Sequence, residues 1–359
     1  MSSETDPGPI DRARRLADAL IRPQAEQVDR TVVPRSHLDA WAGAGLLGLA
    51  GPRSAGGAEA APSMVREVTE VLAAACGSTW FVATQHATPL ASVGASGHIE
   101  LRDRLLPALC SGQLLSGVAI AHLRRPGPPA VSAVRTPSGW RFDGSVAWVT
   151  SWGICDVVLL AGVSPDAEVV TVIVPARDVE GLTASEPLPL AAMGATRTVS
   201  VELRGFAVDE ADVVDVGDLG AWLAVDAAKT ANAGPHLFGL HRECVARLLE
   251  TASRRDDATA AALAQQLAQE GQRLRRVAYS LIDEVPPGEA IADRLAVRAA
   301  ALDLVVRSAT ALVVATGGSA MTLGAPAQRL LREAAFYLVQ GQTGPVREAT
   351  MQLLRDSGA

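Results

Sequence analysis

The chain has 359 residues, 48% of them hydrophobic and 20% charged, with a formal net charge of -7 at neutral pH. This composition excludes an intrinsically disordered chain and is long enough for two or three domains. No basic block exceeds two or three residues, which argues against nucleic acid as a partner.

In chain order, residues 1–9 read as a disordered tail. From Ile10 to about Val28 the apolar positions Ala13, Leu16, Ala17, Leu20 and Ile21 keep helical spacing. Pro34 and Ser36 precede a second helix, His37 to Leu46, and a Gly/Pro loop follows over 47–61. Ser63 is placed to cap a helix from Met64 to Cys76, with Glu67 near the third position of its first turn. Ser78 to His86 and His98 to Leu109 are further helices, the second ended by Gly112.

At Gly117 the pattern changes to short β-rich runs broken by turn residues. Pro126, Gly127, Pro128 and Pro129 make a hard break, and Trp140-Arg141-Phe142 leads into Asp143-Gly144, a hairpin signal. Strict alternation puts Val146, Trp148 and Thr150 on one face of the next strand and Ala147 and Val149 on the other. Asp156 to Ala161, Glu168 to Val174, Thr198 to Leu203 and Gly205 to Val208 are further strands. From Leu219 the helical pattern returns. It predicts a long helix from Trp222 to about Arg254 with a break or bend at Gly234-Pro235, then Ala258 to Ile282, Ala290 to Ala315, Pro326 to Leu338 and Pro345 to Leu354. Ala290 to Ala315 is apolar on more than one face, which predicts burial in the core or against another subunit. The fold expected is α+β: an N-terminal helical domain over 1–115, a central antiparallel β-domain over 116–212 and a C-terminal four-helix bundle over 213–359.

Cys76, Cys110, Cys155 and Cys244 are widely spaced with no CxxC, which is read as free thiols in a reducing compartment and no metal site. No signal-peptide pattern and no run of about 18 apolar residues is present, so a cytoplasmic protein without a membrane span is expected.

Four segments in order and spacing carry a resemblance. LLGLAGPRSAGG (46–57), GWRFDGSVAWVTSWGICDVVLLAG (139–162), LAAMGATRTVSVELRGFAVDEADVV (190–214) and GGSAMTLGAPAQRLLREAAFYLVQGQT (317–343) resemble motifs of the acyl-CoA dehydrogenase superfamily. The resemblance spans about residues 10–355. It implies helical, β and four-helix-bundle domains, a homodimer or homotetramer with FAD between subunits, and oxidation of an acyl thioester.

It also implies site residues. Trp148 and Thr150 match the flavin-contacting strand, where an indole offers a planar wall and a hydroxyl can meet the polar edge; from the residues alone they are equally a core Trp and a strand Thr. Gly317 and Gly318 match a pair that lets backbone approach the phosphate or adenosine portion, and are otherwise a helix cap. Arg255 matches an arginine that reaches a neighbouring subunit's cofactor, and Thr343 a threonine after the catalytic turn. His122 is the first candidate among His86, His122 and His241 for a chemical role beside the flavin; each is otherwise a satisfied core histidine. Arg124 and Arg125 either meet an acidic ligand or form a solvated turn.

The departures concern the base. In the family a Glu two residues before that threonine removes the α-proton. The ungapped count puts Gly341 there, flanked by Gln340 and Gln342, whose amides cannot act as bases. Relatives that carry the base on the first bundle helix align it with Lys229, which would need strong desolvation to serve. The family's Gly-Ser-Asp loop is replaced by HLRRPGPPAVSA (122–133). Three functions are therefore expected: a dehydrogenase of an acyl thioester with its Glu replaced, a flavin-dependent monooxygenase needing no α-proton base, or a non-catalytic partner subunit of an active homologue.

Overall fold

The structure, a computed structural model, describes residues 7–356. The expected tail therefore lies largely outside the described residues, and the first helix already begins at Pro9, a residue whose fixed φ suits a first helical turn. Helices α1 (Pro9–Leu16) and α2 (Arg22–Asp29) run on through a π-helical turn, Ala17–Ile21. They are followed by α3 (Arg35–Gly43), α4 (Pro62–Ala75), α5 (Gly77–Gln85), α6 (Ala87–Ala95) and α7 (Ile99–Ser111). Ser63 does not cap α4: the helix starts one residue earlier, at Pro62, and has no side-chain cap. Cys76, in extended backbone, turns α4 into α5 and its sulfur accepts from the Thr79 amide at 3.5 Å. Gly112 ends α7 in the left-handed region, φ +73°.

Eight strands follow: β1 (Ser116–Ala119), β2 (Val131–Thr136), β3 (Gly139–Val149), β4 (Val157–Val163), β5 (Glu168–Pro175), β6 (Leu182–Ala184), β7 (Val199–Asp209) and β8 (Val213–Asp218). They form one sheet in the order β6-β7-β3-β2-β4-β5-β8, with β1 added beside β4. The pairing is antiparallel except for β1 with β4 and a single β2–β4 bridge. The last strand carries the sheet to Asp218, past residue 212.

Two details differ from the pattern reading. Asp143-Gly144 is not a hairpin turn. The β2–β3 hairpin closes at Pro137-Ser138, and β3 continues through Asp143-Gly144 with a bulge against β7. There Gly144 has φ +135° with its Cα packed on the Ala130–Val131 backbone, and Asp143 Oδ1 accepts from the Gly205 amide at 2.6 Å. Strict alternation also fails after Val146. Val146 pairs Val201 and Val149 pairs Val199, so β3 holds one residue more than β7. This second bulge turns both Val146 and Val149 inward and Trp148 outward.

The remaining helices are α8 (Leu219–Thr230), α9 (Pro235–Arg255), α10 (Ala258–Glu284), α11 (Ile291–Thr316), α12 (Pro326–Tyr337) and α13 (Gly344–Asp356). The expected long helix is cut in two, because Pro235 cannot continue α8 and starts α9 instead. By length and composition Ile291–Met321 is apolar enough to cross a membrane. In the fold, α11 packs against α9, α10, α12 and α13, which buries Leu302, Leu304, Val305 and Leu312 in the bundle core and leaves Val314 exposed. Helix α4 packs on α9 and joins the N-terminal helices to the bundle. All four cysteines are free and buried.

Candidate functional site

The turn after α12 is the centre of the site that the sequence points to. Gly341 has φ +58°, and the carbonyls of Gln340 and Gly341 turn towards α11. There they accept from Arg298 Nη2 at 2.9 and 3.3 Å, while Arg298 Nη1 donates to the Thr230 carbonyl at the end of α8. Arg298 is 7% exposed, and its Nε is buried without a partner. Among the described residues it has no carboxylate counter-ion. Burial, aided by the nearby Arg124 guanidinium, pushes its pKa down to about 10. A Cβ on Gly341 would lie 3.7 Å from Arg298 Nη2. The position expected to lack a base thus faces a cation.

The two acidic residues that the sequence offers around the turn are placed otherwise. Glu333 is buried and held by Arg329 Nη1 at 2.7 Å and the Gly77 amide at 3.1 Å. Glu348 is exposed on α13. Lys229 is exposed on α8, without the burial a basic role would require. Gln342 donates to the Leu338 carbonyl at 3.0 Å, within its own turn. Arg124 forms a two-point pair with Asp226, at 2.7 and 2.8 Å, so this arginine of the loop already has its acid. Arg125 is exposed.

Next to the turn lies an aromatic cluster that the sequence reading missed. His236, at the start of α9, stacks on Trp80 with ring centroids 4.4 Å apart and meets the edge of Tyr337 at 4.7 Å. Phe81 and Phe336 extend it at 4.8 Å. Burial, with Arg298 behind it, pushes His236 down to about 3 and keeps it neutral. Trp80 Nε1 and Tyr337 Oη are buried without partners, an uncommon state for two such groups side by side. The available signal was two adjacent aromatic doublets, Trp80-Phe81 and Phe336-Tyr337, in a chain that is only 4% aromatic.

The residues expected to hold a flavin divide. Trp148 is 55% exposed, on a backbone at φ +66° that a bulky side chain rarely adopts. The bulge presents its indole to solvent, with the apolar face a stacked ring system would cover. Gly317 (φ +73°) and Gly318 open the 3₁₀ turn Gly317–Met321 after α11, and nothing stands within 4 Å of a Cβ on Gly318. Arg255 lies beside them and donates to the Thr316 carbonyl at 2.7 Å. Thr343, two residues beyond Gly341, starts α13 by accepting from the Arg347 amide at 2.9 Å. These residues fit a planar cofactor with a phosphate arm.

Thr150 and His122 do not. Thr196 Oγ1 donates to the Met193 carbonyl, so Thr198 donates to Thr196 and Thr150 to Thr198, at 2.9 and 3.1 Å. The buried Thr150 hydroxyl has no proton left for a ligand. His122 is buried and donates from Nε2 to the Ala161 carbonyl at 3.1 Å. Burial, with Arg125 adding to it, pushes its pKa down to about 4, and its Nδ1 is enclosed without a partner. It pins the turn Ala121–Arg124 to β4. His86 is a core histidine too, bonded to the Leu109 carbonyl and to Ser116.

Comparison with known proteins agrees with this architecture. Residues 9–113 match the family described as "Acyl-CoA dehydrogenase, N-terminal domain". A benzylmalonyl-CoA dehydrogenase of Aromatoleum aromaticum is 23% identical over 205 residues, 56% of this chain and 54% of that protein, so the match spans about half of the relative. The structure of butyryl-CoA dehydrogenase from Megasphaera elsdenii superimposes with a TM-score of 0.81 at 15% identity, over 99% of this chain and 100% of that one. FMN-bound TdsC, a dibenzothiophene monooxygenase from Paenibacillus sp. A11-2, gives 0.81 at 18% identity over 97% of both chains. Helical N-terminal domain, central sheet and bundle give this chain the acyl-CoA dehydrogenase fold, and its residues 9–113 are similar to that family's N-terminal domain.

Proposed function

We propose that the chain is a flavin-dependent oxidoreductase whose reaction does not use a carboxylate base at the Gly341 turn. The observation that carries this is Arg298, which holds the Gln340 and Gly341 carbonyls where a base would otherwise stand. α,β-Dehydrogenation of an acyl thioester needs that proton removed, and general-base catalysis is typically worth about 10²–10⁴-fold. Oxidation of a small substrate by reduced flavin and O₂ does not need it, and the fold likeness to a monooxygenase is compatible with that class.

A bound flavin would supply two-electron transfer. Trp148 would cover one face of its ring system, and the backbone at Gly317 and Gly318 with Arg255 would receive its phosphate arm. Arg298 would raise the positive potential beside the substrate and stabilise negative charge on a carbonyl oxygen. The neutral His236 and the Trp80–Tyr337 pair would exclude water. FAD is the expected form. A homodimer or homotetramer is proposed through the bundle, where Val314, Met321, Leu323, Val339, Met351 and Leu354 are exposed apolar side chains; light scattering showing a monomer at micromolar concentration would refute it.

One observation favours a second reading, a non-catalytic partner of an active homologue: the Thr150 hydroxyl, expected at the flavin's polar edge, has its proton committed to Thr198. The visible spectrum of the purified chain, before and after addition of FAD or FMN, decides between them. Near-stoichiometric flavin absorbance supports the oxidoreductase, and a protein that stays colourless supports the partner subunit.

A further inference from the structure

A cleft of about 390 Å³ opens where α1 and α4 of the N-terminal helices meet α9 and α10 of the bundle. None of Trp148, Arg298, Gly317 and Gly341 lines it. Its polar lining comes from Arg14, Arg242, Arg275, His241, Gln272, Glu67 and Glu70.

The hydrogen bonds fix what its walls offer. Glu70 is buried, and both its oxygens are engaged. Oε1 accepts from Arg275 Nε at 2.6 Å and Tyr279 Oη at 2.5 Å, and Oε2 accepts from Arg242 Nη1 at 3.3 Å. Arg275 and Arg242 each use one nitrogen in this and keep the rest of the guanidinium for another acceptor. Arg14, exposed at the rim and 3.6 Å from Asp11 Oδ1, adds a third guanidinium to the wall.

His241 is 5% exposed, and its tautomer is settled by its neighbour. Ser308 Oγ donates its single proton to the Leu304 carbonyl at 2.7 Å. The 2.9 Å bond between Ser308 Oγ and His241 Nδ1 therefore has Nδ1–H as donor. Nε2 is left as a bare acceptor. It points at Gly271, where a Cβ would overlap it, and Gly271 lines the cleft as well. A glycine in mid-helix costs about 1 kcal/mol against alanine, and here it leaves the imidazole edge uncovered. Nε2 makes no hydrogen bond among the described residues. Burial, with Arg307 and Arg242 adding to it against Glu270, keeps the ring neutral.

We propose that this cleft binds a small hydroxylated oxyanion, its anionic group held by Arg14, Arg242 and Arg275 and one hydroxyl donating to His241 Nε2. The volume falls in the range of small-molecule sites, roughly 300–1,000 Å³. A bare anion would leave Nε2 unpartnered, and an uncharged polyol would leave without an anionic acceptor the guanidinium N–H groups that Glu70 does not take, so one ligand carrying both groups meets both features. Being set across the joint of two domains, such a ligand would also tie α1 and α4 to α9 and α10.

The test is calorimetric titration of the full-length protein with ribose 5-phosphate and with gluconate, which present the same chemistry from a phosphate or a carboxylate. Inorganic phosphate and ribose serve as the half-ligands. Saturable one-site binding of either hydroxylated anion, about tenfold tighter than that of either half-ligand, is expected, as the loss of one good hydrogen bond predicts. Arg14→Gln and His241→Ala should each weaken it by about tenfold. Arg14 is exposed, so its variant keeps the test open should the His241 variant fold poorly. No saturation by either anion, equal binding of inorganic phosphate, or affinity unchanged by Arg14→Gln would overturn the proposal.

Discussion

Two buried arginines stand on neighbouring helices of the bundle and live in opposite surroundings. Arg329 on α12 is fully buried, but Glu333 at 2.7 Å and Glu26 at 3.3 Å surround it. Burial works against its charge, yet Glu333 and Glu26 help to outweigh burial and its pKa is raised. Arg298 on α11 is nearly as buried and receives only carbonyl oxygens, and its pKa falls. The first arrangement locks α12 to α2 and α5. The second leaves a positive field beside the Gly341 turn, which suits a place where charge develops in a ligand and not a place that only holds the fold.

Buried neutral groups belong to the second kind, and they set the largest expected effect. His122 and His241 are held down to about 4, burial being the main cause for both. An unfolded histidine takes up its proton below about 6.5, whereas these do so only near 4. Stability is therefore full above pH 6.5 and falls as pH drops towards 4, by about 1.4 kcal/mol per unit for each. Urea midpoints at pH 7 and pH 4.5 should differ by the equivalent of about 5 kcal/mol from these two residues. A flat profile over that window would mean that they are not buried neutral.

Arg329→Leu strips Glu333 of its counter-ion and should cost about 3–5 kcal/mol in denaturant unfolding. Arg298→Met leaves carbonyls short of a donor but also removes an uncompensated cation, so about 1–2 kcal/mol is expected. Equal losses would erase the contrast between the two sites. With flavin bound, turnover of butyryl-CoA with an artificial acceptor should fall about 10²–10⁴-fold short of an enzyme with its carboxylate base. Robust turnover would show that a base reaches the substrate from elsewhere.

Gly341→Glu sharpens the same point. A carboxylate introduced there meets Arg298, which would hold it ionised and paired, and φ +58° adds strain of about 1 kcal/mol. We expect no more than a tenfold gain in butyryl-CoA turnover, a limit set by a weak, fully ionised base. Smallest of all, Trp148→Ala should change stability by under about 0.5 kcal/mol, because the indole is exposed. It should nevertheless weaken flavin binding measurably in a fluorescence titration.

How much of this was legible in the sequence depends on the range of the forces involved. Helix periodicity located α9 to α13 within a few residues, since that signal is local. The break at Gly234-Pro235 was visible for the same reason. The bulge at Trp148 was not, because an extra residue in β3 is defined only against β7, fifty residues away. Asp143-Gly144 has the composition of a turn but was overruled by the longer β3–β7 pairing. Gly341 was singled out by counting along the resemblance, whereas Arg298 beneath it, and His236 between Trp80 and Tyr337, appear only when distant helices meet.

The four buried thiols carry a further consequence. Burial, with Asp156 beside it, pushes Cys155 up to about 12, and burial raises Cys76, Cys110 and Cys244 as well. None offers a thiolate at neutral pH, and together they sample the α4–α5 junction, α7, the loop before β4 and α9. A thiol reagent therefore has nothing to attack until a segment opens, and each cysteine then reacts at the opening rate of its own region. The protein carries a built-in set of four clocks. Mass spectrometry of the order in which they are labelled would read which layer of the fold opens first.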